Sequence, residues 1–310
     1  MDGRAVRGQG IPLATAGRIS GTESWEKAVK GRHIHRWIGG SLLRLGVAGV
    51  ALLWALPFGV LALWAFTRAW YFPDALPQAW SLAGWQQLLF PFAGRGSQFW
   101  AAFGQSLQIA LFTTLLALGV GIPAGRVLGT HPVPAWLRLL LLLPVITSPL
   151  AVLMGIQGVL IRLRLDGTLL GVVLVHLIPT LPYMALVMGS VFARFDRGYE
   201  VQARCLGADP WQVWWQVTLP LIAPGAAIGA VFAFLISWNE FLLTFFVGGG
   251  RVLTLPMLLY SLLQGGNNTL VAVVALLSVV PGWLALLGAS LCLGQAIGLP
   301  PAEAQEEESC

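Results

Sequence analysis

The sequence predicts an all-α membrane protein, with six transmembrane helices and a short cytoplasmic helix between the fourth and the fifth. Three observations predict it. Of 310 residues, 57% are hydrophobic and 10% charged, with a mean hydropathy of +0.77, whereas a soluble domain carries about a quarter charged residues. Apolar runs of about 20 residues, enough to cross a bilayer, occur six times. Between two of these runs lies a polar stretch, "EVQARCLGADPWQVWWQVTLPLIAPG" (200–225), that holds helix-stop and helix-start residues in succession.

Residues 1–36 read as a basic cytoplasmic arm. They contain no apolar segment of the signal-peptide kind. His33 and His35 lie in this arm, and two ligands without a third make a poor zinc site. The six-span domain covers 37–298, with spans at 46–69, 102–127, 137–161, 169–192, 218–247 and 270–293. Pro57, Pro144, Pro149, Pro179, Pro182, Pro220, Pro224 and Pro281 fall in or at the ends of these runs, as membrane helices tolerate when neighbours satisfy the freed carbonyls. Residues 299–310 form an acidic tail (Glu303, Glu306, Glu307, Glu308) expected to be disordered. Trp70, Trp80, Trp85, Trp100, Trp136, Trp211 and Trp214 lie near span ends, as an aromatic belt requires.

The distribution of basic residues sets the orientation. With the N-terminus inside, the inner side holds 13 of the 18 Lys and Arg, including Arg126, Arg138, Arg194, Arg197 and Arg204. The outer side holds Arg68, Arg95, Arg162, Arg164 and Arg251. Both termini are then cytoplasmic and the 200–225 stretch is cytoplasmic too. The net charge of +5 calls for no nucleic-acid partner; the expected surroundings are membrane lipid.

Several chemistries are excluded. Three cysteines (Cys205, Cys292, Cys310) in no pattern give neither a disulfide framework nor a metal site. The glycine-rich "GVGIPAG" and "VGGGR" lack a Gly-Lys-Ser/Thr phosphate loop, and both lysines lie in the arm. No HExxH, GxSxG or paired carboxylates support hydrolysis, so no catalytic residue and no cofactor site is expected in this chain.

In the 200–225 stretch, Asp196 is positioned to cap a short helix over 197–206, and Gly207 to end it. Asp209 followed by Pro210 restarts a helix as N-cap and N1, and Trp211, Val213, Trp214 and Val217 lead into the fifth span. A short helix joined to a span by a capped turn is a lever.

Here the chain resembles the inner-membrane permease subunits of binding-protein-dependent (type I) ABC importers. Their cytoplasmic signature is an EAA triplet, a Gly four residues after its last Ala, a hydrophobic position and Leu-Pro. Ala203, Gly207, Val217, Leu219 and Pro220 fall at those spacings. The triplet reads Val201-Gln202-Ala203, so Val201 stands at the Glu position and Glu200 is one residue early, about 100° around the helix. "QSLQIALFTTLLALGVGIPAG" (105–125), "HLIPTLPYMALVMGSVFARFD" (176–196), "SWNEFLLTFFVGG" and "TLPMLLYSLL" resemble other family segments, in order, over about 80–290. The resemblance implies a permease in the bacterial inner membrane. It implies a second permease subunit, an ABC ATPase dimer that binds ATP and magnesium, and an external solute-binding protein. It makes Glu200, Val201, Gln202, Ala203, Gly207, Ala208 and Asp209 the ATPase-coupling residues. The segments around Tyr183 and 238–254 are most similar to the polyamine-type branch, which also resembles importers of iron(III), thiamine, phosphonate and sugars, so the resemblance implies a small solute, with a polyamine the leading expectation among these.

Tyr183, Ser237, Asn239 and Glu240 are the candidate pathway residues. Glu240 is the acid placed within a span. It either lines the pathway as a gate or is a structural carboxylate near the outer interface, and both readings stand. His176 is either a proton relay or a hydrogen-bonded structural histidine, the second being favoured because no acid pairs with it. The competing classes are an ion-gradient-driven secondary transporter, for which no repeat is visible, an intramembrane enzyme, for which no catalytic set assembles, and a scaffold, which leaves the hairpin spacing without a reason.

Overall fold

The computed structural model describes residues 44, 46–70, 74, 77–90 and 95–297. The basic arm, with His33 and His35, and the acidic tail lie outside the described residues. The chain divides into two units, residues 1–58 and 59–310. The first is described over the leading part of helix α1 (Gly46–Ala65), where Leu52, Leu53 and Trp54 are exposed, as suits a helix with hydrocarbon for solvent.

The second unit opens, past the end of α1, with a short antiparallel hairpin, β1 (Thr67–Ala69) and β2 (Ala79–Trp80), followed by α2 (Ala83–Leu89). Helix α3 (Gly96–Thr130) runs 35 residues, about 50 Å at 1.5 Å per residue, longer than the ~30 Å hydrocarbon layer. Next come α4 (Ala135–Ile146), α5 (Pro149–Arg162) and α6 (Leu169–Arg194). The short α7 (Gly198–Cys205) leads to α8 (Pro210–Gln212), a π-helical turn (Val213–Thr218) and α9 (Leu219–Trp238). The unit ends with α10 (Leu242–Val247), α11 (Leu255–Gln264) and α12 (Asn268–Ile297).

Among the described residues, five helices are long and apolar enough to span a membrane, six if α4 and α5 count as one broken span. The third expected run, 137–161, is not continuous: α4 and α5 meet at a bend of 100°. Thr147 and Ser148 are extended there, with ψ of 145° and 132°. Pro149 is the cause, because its ring disfavours the helical region for the residue before it and it starts α5 as N1. The fifth expected run, 218–247, also ends early. Helix α9 stops at Trp238, Asn239 and Glu240 occupy the break, and α10 resumes at Leu242. The apolar run is continuous, but its helix is not.

Helices α3, α6 and α9 form the centre. On α3, Gly121, Gly125 and Gly129 make one stripe facing α6. A Cβ on Gly125 would lie 2.8 Å from the Gly189 amide nitrogen, and one on Gly129 would lie 2.5 Å from the Gly189 carbonyl oxygen. Without Cβ atoms the two backbones approach closely, which is how helices gain packing where lipid gives no hydrophobic drive. Ala117, Met184, Met188, Phe192 and Ile222 fill the core beside this stripe. A second cluster joins α5, α6 and α10 through Leu160, Val172, Val175, Leu243 and Val247. A third joins α2, α3, α11 and α12 through Leu88, Phe99, Leu258, Leu262 and Val273. Polar ties mark where α3 meets the loop before α11. Ser106 Oγ accepts the Leu255 amide at 2.8 Å, and Gln105 Oε1 accepts the Leu253 amide at 2.7 Å.

Candidate functional site

The polar hairpin sits where α6 ends and α9 begins. Asp196 Oδ1 accepts the Gly198 amide at 2.8 Å, so its side chain holds the entry to α7, although Arg197 occupies the N-cap position. The C-terminus closes as a Schellman motif. The Gly207 amide donates to Arg204 O at 3.0 Å and the Ala208 amide to Ala203 O at 3.1 Å. Gly207 has φ +89°, a conformation that a Cβ disfavours. Asp209 then opens α8 with a capping box. Its Oδ1 accepts the Gln212 amide at 2.6 Å, while Gln212 Oε1 accepts the Asp209 amide at 3.1 Å. Pro210 is N1, and α8, the π-turn and α9 continue without interruption.

Glu200 is the buried member of α7, 6% exposed. Arg126 Nη2, from α3, donates to Glu200 Oε2 at 2.8 Å and Oε1 at 3.0 Å. Thr218 Oγ1, at the foot of α9, donates to Oε1 at 2.8 Å. This is the one ion pair among the described residues. One carboxylate therefore ties α7 to two spans, and Arg126 also lies 5.7 Å from the Phe192 ring centroid. Because a charge removed from water needs a partner and further hydrogen bonds, the joint holds α7 against the bundle in a fixed pose. The opposite face of α7 is open. Tyr199, Val201 and Leu206 are exposed, Leu206 at 89%, and Gln202 is exposed beside them. Ala203 and Ala208 are half-buried and Asp209 is exposed. Sequence spacing picks out Glu200 but neither Thr218 nor Arg126, 74 residues away from Glu200.

Toward the far end of α9 a second polar set gathers. His176 of α6 is buried, with Nδ1 2.8 Å from Ser237 Oγ and Nε2 2.9 Å from Thr244 Oγ1. A neutral imidazole donates through one nitrogen and accepts through the other, so both contacts are satisfied without an acid, as in a structural histidine. It staples α6 to α9 and α10 across the break. Glu240 Oε1 accepts the Leu243 amide at 3.2 Å, holding the N-terminus of α10, and Thr244 Oγ1 donates to Glu240 O at 3.2 Å. Asn239 is exposed and its Nδ2 donates to Leu235 O at 2.9 Å. Ser237, Asn239 and Glu240 thus share one break, whereas Tyr183 is exposed on α6 and no hydrogen bond links it to them. Among the described residues, no group of three His, Cys, Asp or Glu could hold a metal ion.

Comparison with known proteins adds sequence and fold relatives. Residues 117–293 match the model of the binding-protein-dependent transport system inner membrane component family. The molybdenum transport system permease protein ModB of Mycobacterium tuberculosis is 34% identical over 200 residues, 59% of this chain and 75% of that protein. The putrescine transport system permease protein PotI of Escherichia coli is 29% identical over 215 residues, 66% of this chain and 76% of that protein. Among solved structures, a bacterial ABC transporter involved in the import of the acidic polysaccharide alginate superposes with a TM-score of 0.64. The match covers 82% of this chain and 95% of that one at 15% identity, a likeness of fold.

Proposed function

Since the chain belongs to the family of binding-protein-dependent transport system inner membrane components, and is thus a multi-pass permease subunit of an ABC importer, we propose that α7 is its coupling helix. It receives the movement of a separate ABC ATPase. The observation that carries this is the two-sided build of α7. Glu200 is locked to α3 and α9 by Arg126 and Thr218, and the other face, with Tyr199, Gln202 and Leu206, is open. A push on the open face reaches α9 through the joint and through the unbroken α8–α9 run. ATP and magnesium then act on the partner ATPase dimer, and the chain itself performs no hydrolysis. A second permease subunit completes the pathway, and an external binding protein delivers the solute. The hairpin faces the cytoplasm, as the basic residues at that end favour.

The solute we assign is a polyamine, carried by the resemblance to the polyamine branch, by the likeness to a putrescine transport permease and by Glu240 at the break in the fifth span. The likeness to molybdenum transport permeases favours a second reading, an oxyanion. Uptake of labelled putrescine against labelled molybdate by the reconstituted importer separates the two.

The coupling assignment is tested with Gln202→Cys in a chain carrying Cys205→Ser and Cys310→Ser. A crosslink to an ATPase subunit, with a yield that changes on adding ATP, is the expected result. If placements at Gln202, Val201 and Asp209 all capture no ATPase, the assignment of α7 as the coupling helix fails.

A further inference from the structure

Two hollows adjoin on the α3–α4–α6 side, and they differ sharply in chemistry. The first is an open groove of about 580 Å³ walled by apolar side chains, among them Val127, Leu128, Leu140, Leu141, Leu181 and Pro182. The second, also about 580 Å³, is walled by Arg126, Thr130, His131, Arg197 and Arg204 together with Glu200, and the two share Val127. Arg197, at the N-cap of α7, and Val201 and Arg204, four and seven residues on, line one side of the helix. Tyr199, Gln202 and Leu206 lie on a different face.

The acids at the second hollow are accounted for. Glu200 is held by Arg126 and Thr218, and Asp196 is exposed, with Oδ1 on the Gly198 amide. His131 Nδ1 lies 2.9 Å from Thr130 Oγ1. Arg197 and Arg204 are exposed, and neither takes part in an ion pair among the described residues. The hollow therefore carries an excess of positive charge at the end of a span. Trp136, 66% exposed, begins α4 beside the groove, where an interfacial aromatic belongs.

We propose that this pair of hollows is a binding site for an anionic phospholipid, with an acyl chain along the α3–α4–α6 groove and the phosphate between Arg197 and Arg204. The groove and the basic hollow are contiguous, so one ligand must be apolar at one end and anionic at the other. A soluble protein supplies the acidic surface but no hydrocarbon, and a free phosphate leaves the groove bare. Basic pockets at the ends of membrane helices suit lipid head groups for this reason. The site borders the outer face of α7 at Val201, so the test below includes an added ATPase.

The test uses the purified full chain in detergent, read by native mass spectrometry with dioleoyl phosphatidylglycerol and dioleoyl phosphatidylcholine. Phosphatidylglycerol is expected to stay bound at collision energies that strip phosphatidylcholine. The double variant Arg197→Gln/Arg204→Gln is expected to weaken phosphatidylglycerol roughly 30-fold, about fivefold per guanidinium. Leu181→Trp, which fills the groove and spares the arginines, is expected to weaken both lipids. Equal retention of the two lipids by the unmodified chain overturns the proposal and needs no variant to fold. Displacement of the lipid by millimolar inorganic phosphate alone overturns it in favour of a phosphate site. Loss of bound lipid when a second permease subunit or an ATPase is added assigns the face to protein contact and overturns it as well.

Discussion

Replacing Gly125 by Ala is expected to destabilise the bundle, while the same change at Gly119 on the same helix is expected to stabilise it. The reason is the difference in what a new methyl group meets. At Gly119 nothing lies within 4 Å; at Gly125 the methyl would sit 2.8 Å from the Gly189 amide nitrogen and 2.8 Å from the Met188 carbonyl carbon. Met188 Cβ would be nearer still, at 2.3 Å; comfortable contact needs roughly 3.5 Å or more, so α6 must retreat by about 1.2 Å at atoms that no side-chain rotation can move. Overpacking of this kind costs about 1–3 kcal/mol. Both variants gain the same helix propensity, about 1 kcal/mol for Gly to Ala in a helix interior. The difference between them is therefore the overpacking alone, about 1–3 kcal/mol, with Gly119→Ala the more stable. Thermal unfolding of both variants in one detergent, with Gly129→Ala as a second member of the stripe, measures that difference. Equal shifts at Gly119 and Gly125 would refute the close approach of α3 to α6.

Three other outcomes are expected. Glu200→Gln breaks the Arg126 pair, costs about 1–2 kcal/mol and speeds proteolysis at α7. The cost falls below the ~3–5 kcal/mol of a fully buried pair because the Arg126 side chain is 35% exposed. Gly207→Ala forces a Cβ into φ +89° and costs about 1–2 kcal/mol, read as a lower unfolding midpoint, whereas Gly207→Asn costs less. His176→Leu leaves the buried Ser237 hydroxyl without its partner and costs about 1–3 kcal/mol. His176→Gln, which can still donate and accept, is expected to restore part of it in the same melt.

What the sequence makes legible here is local. Gly207 and the Asp209-Pro210 pair announce a stop and a start because each acts on backbone within three residues, and the Schellman motif and capping box follow from them. The spans are legible because hydrocarbon demands long apolar runs, yet the demand is on composition, so run and helix part company at Ser148 and at Asn239. Pro149 carried a warning about the first break. Nothing apolar in 241–247 warned of the second. The contacts of Glu200 lie beyond such reading: Arg126 is 74 residues away, and only folding brings α3 beside α7. The glycines at 121, 125 and 129 carry a spacing of four that marks a packing face, whereas "GVGIPAG" lacks the Gly-Lys-Ser/Thr of a phosphate loop.

The π-helical turn at Val213–Thr218 has a consequence for how the chain can lose residues. In an α-helix, deleting one residue swings everything beyond it by about 100°. A π-turn already holds its extra residue in a widened loop of backbone, with bonds to the fifth neighbour. Removing Trp215 closes that loop into ordinary α-helix, and Leu219–Trp238 keeps its faces. Removing Ala230, inside α9, turns the rest of the span away from Ser278, the partner of Trp238. Length along the chain and angle around it are separate quantities here, and at 213–218 one can change without the other.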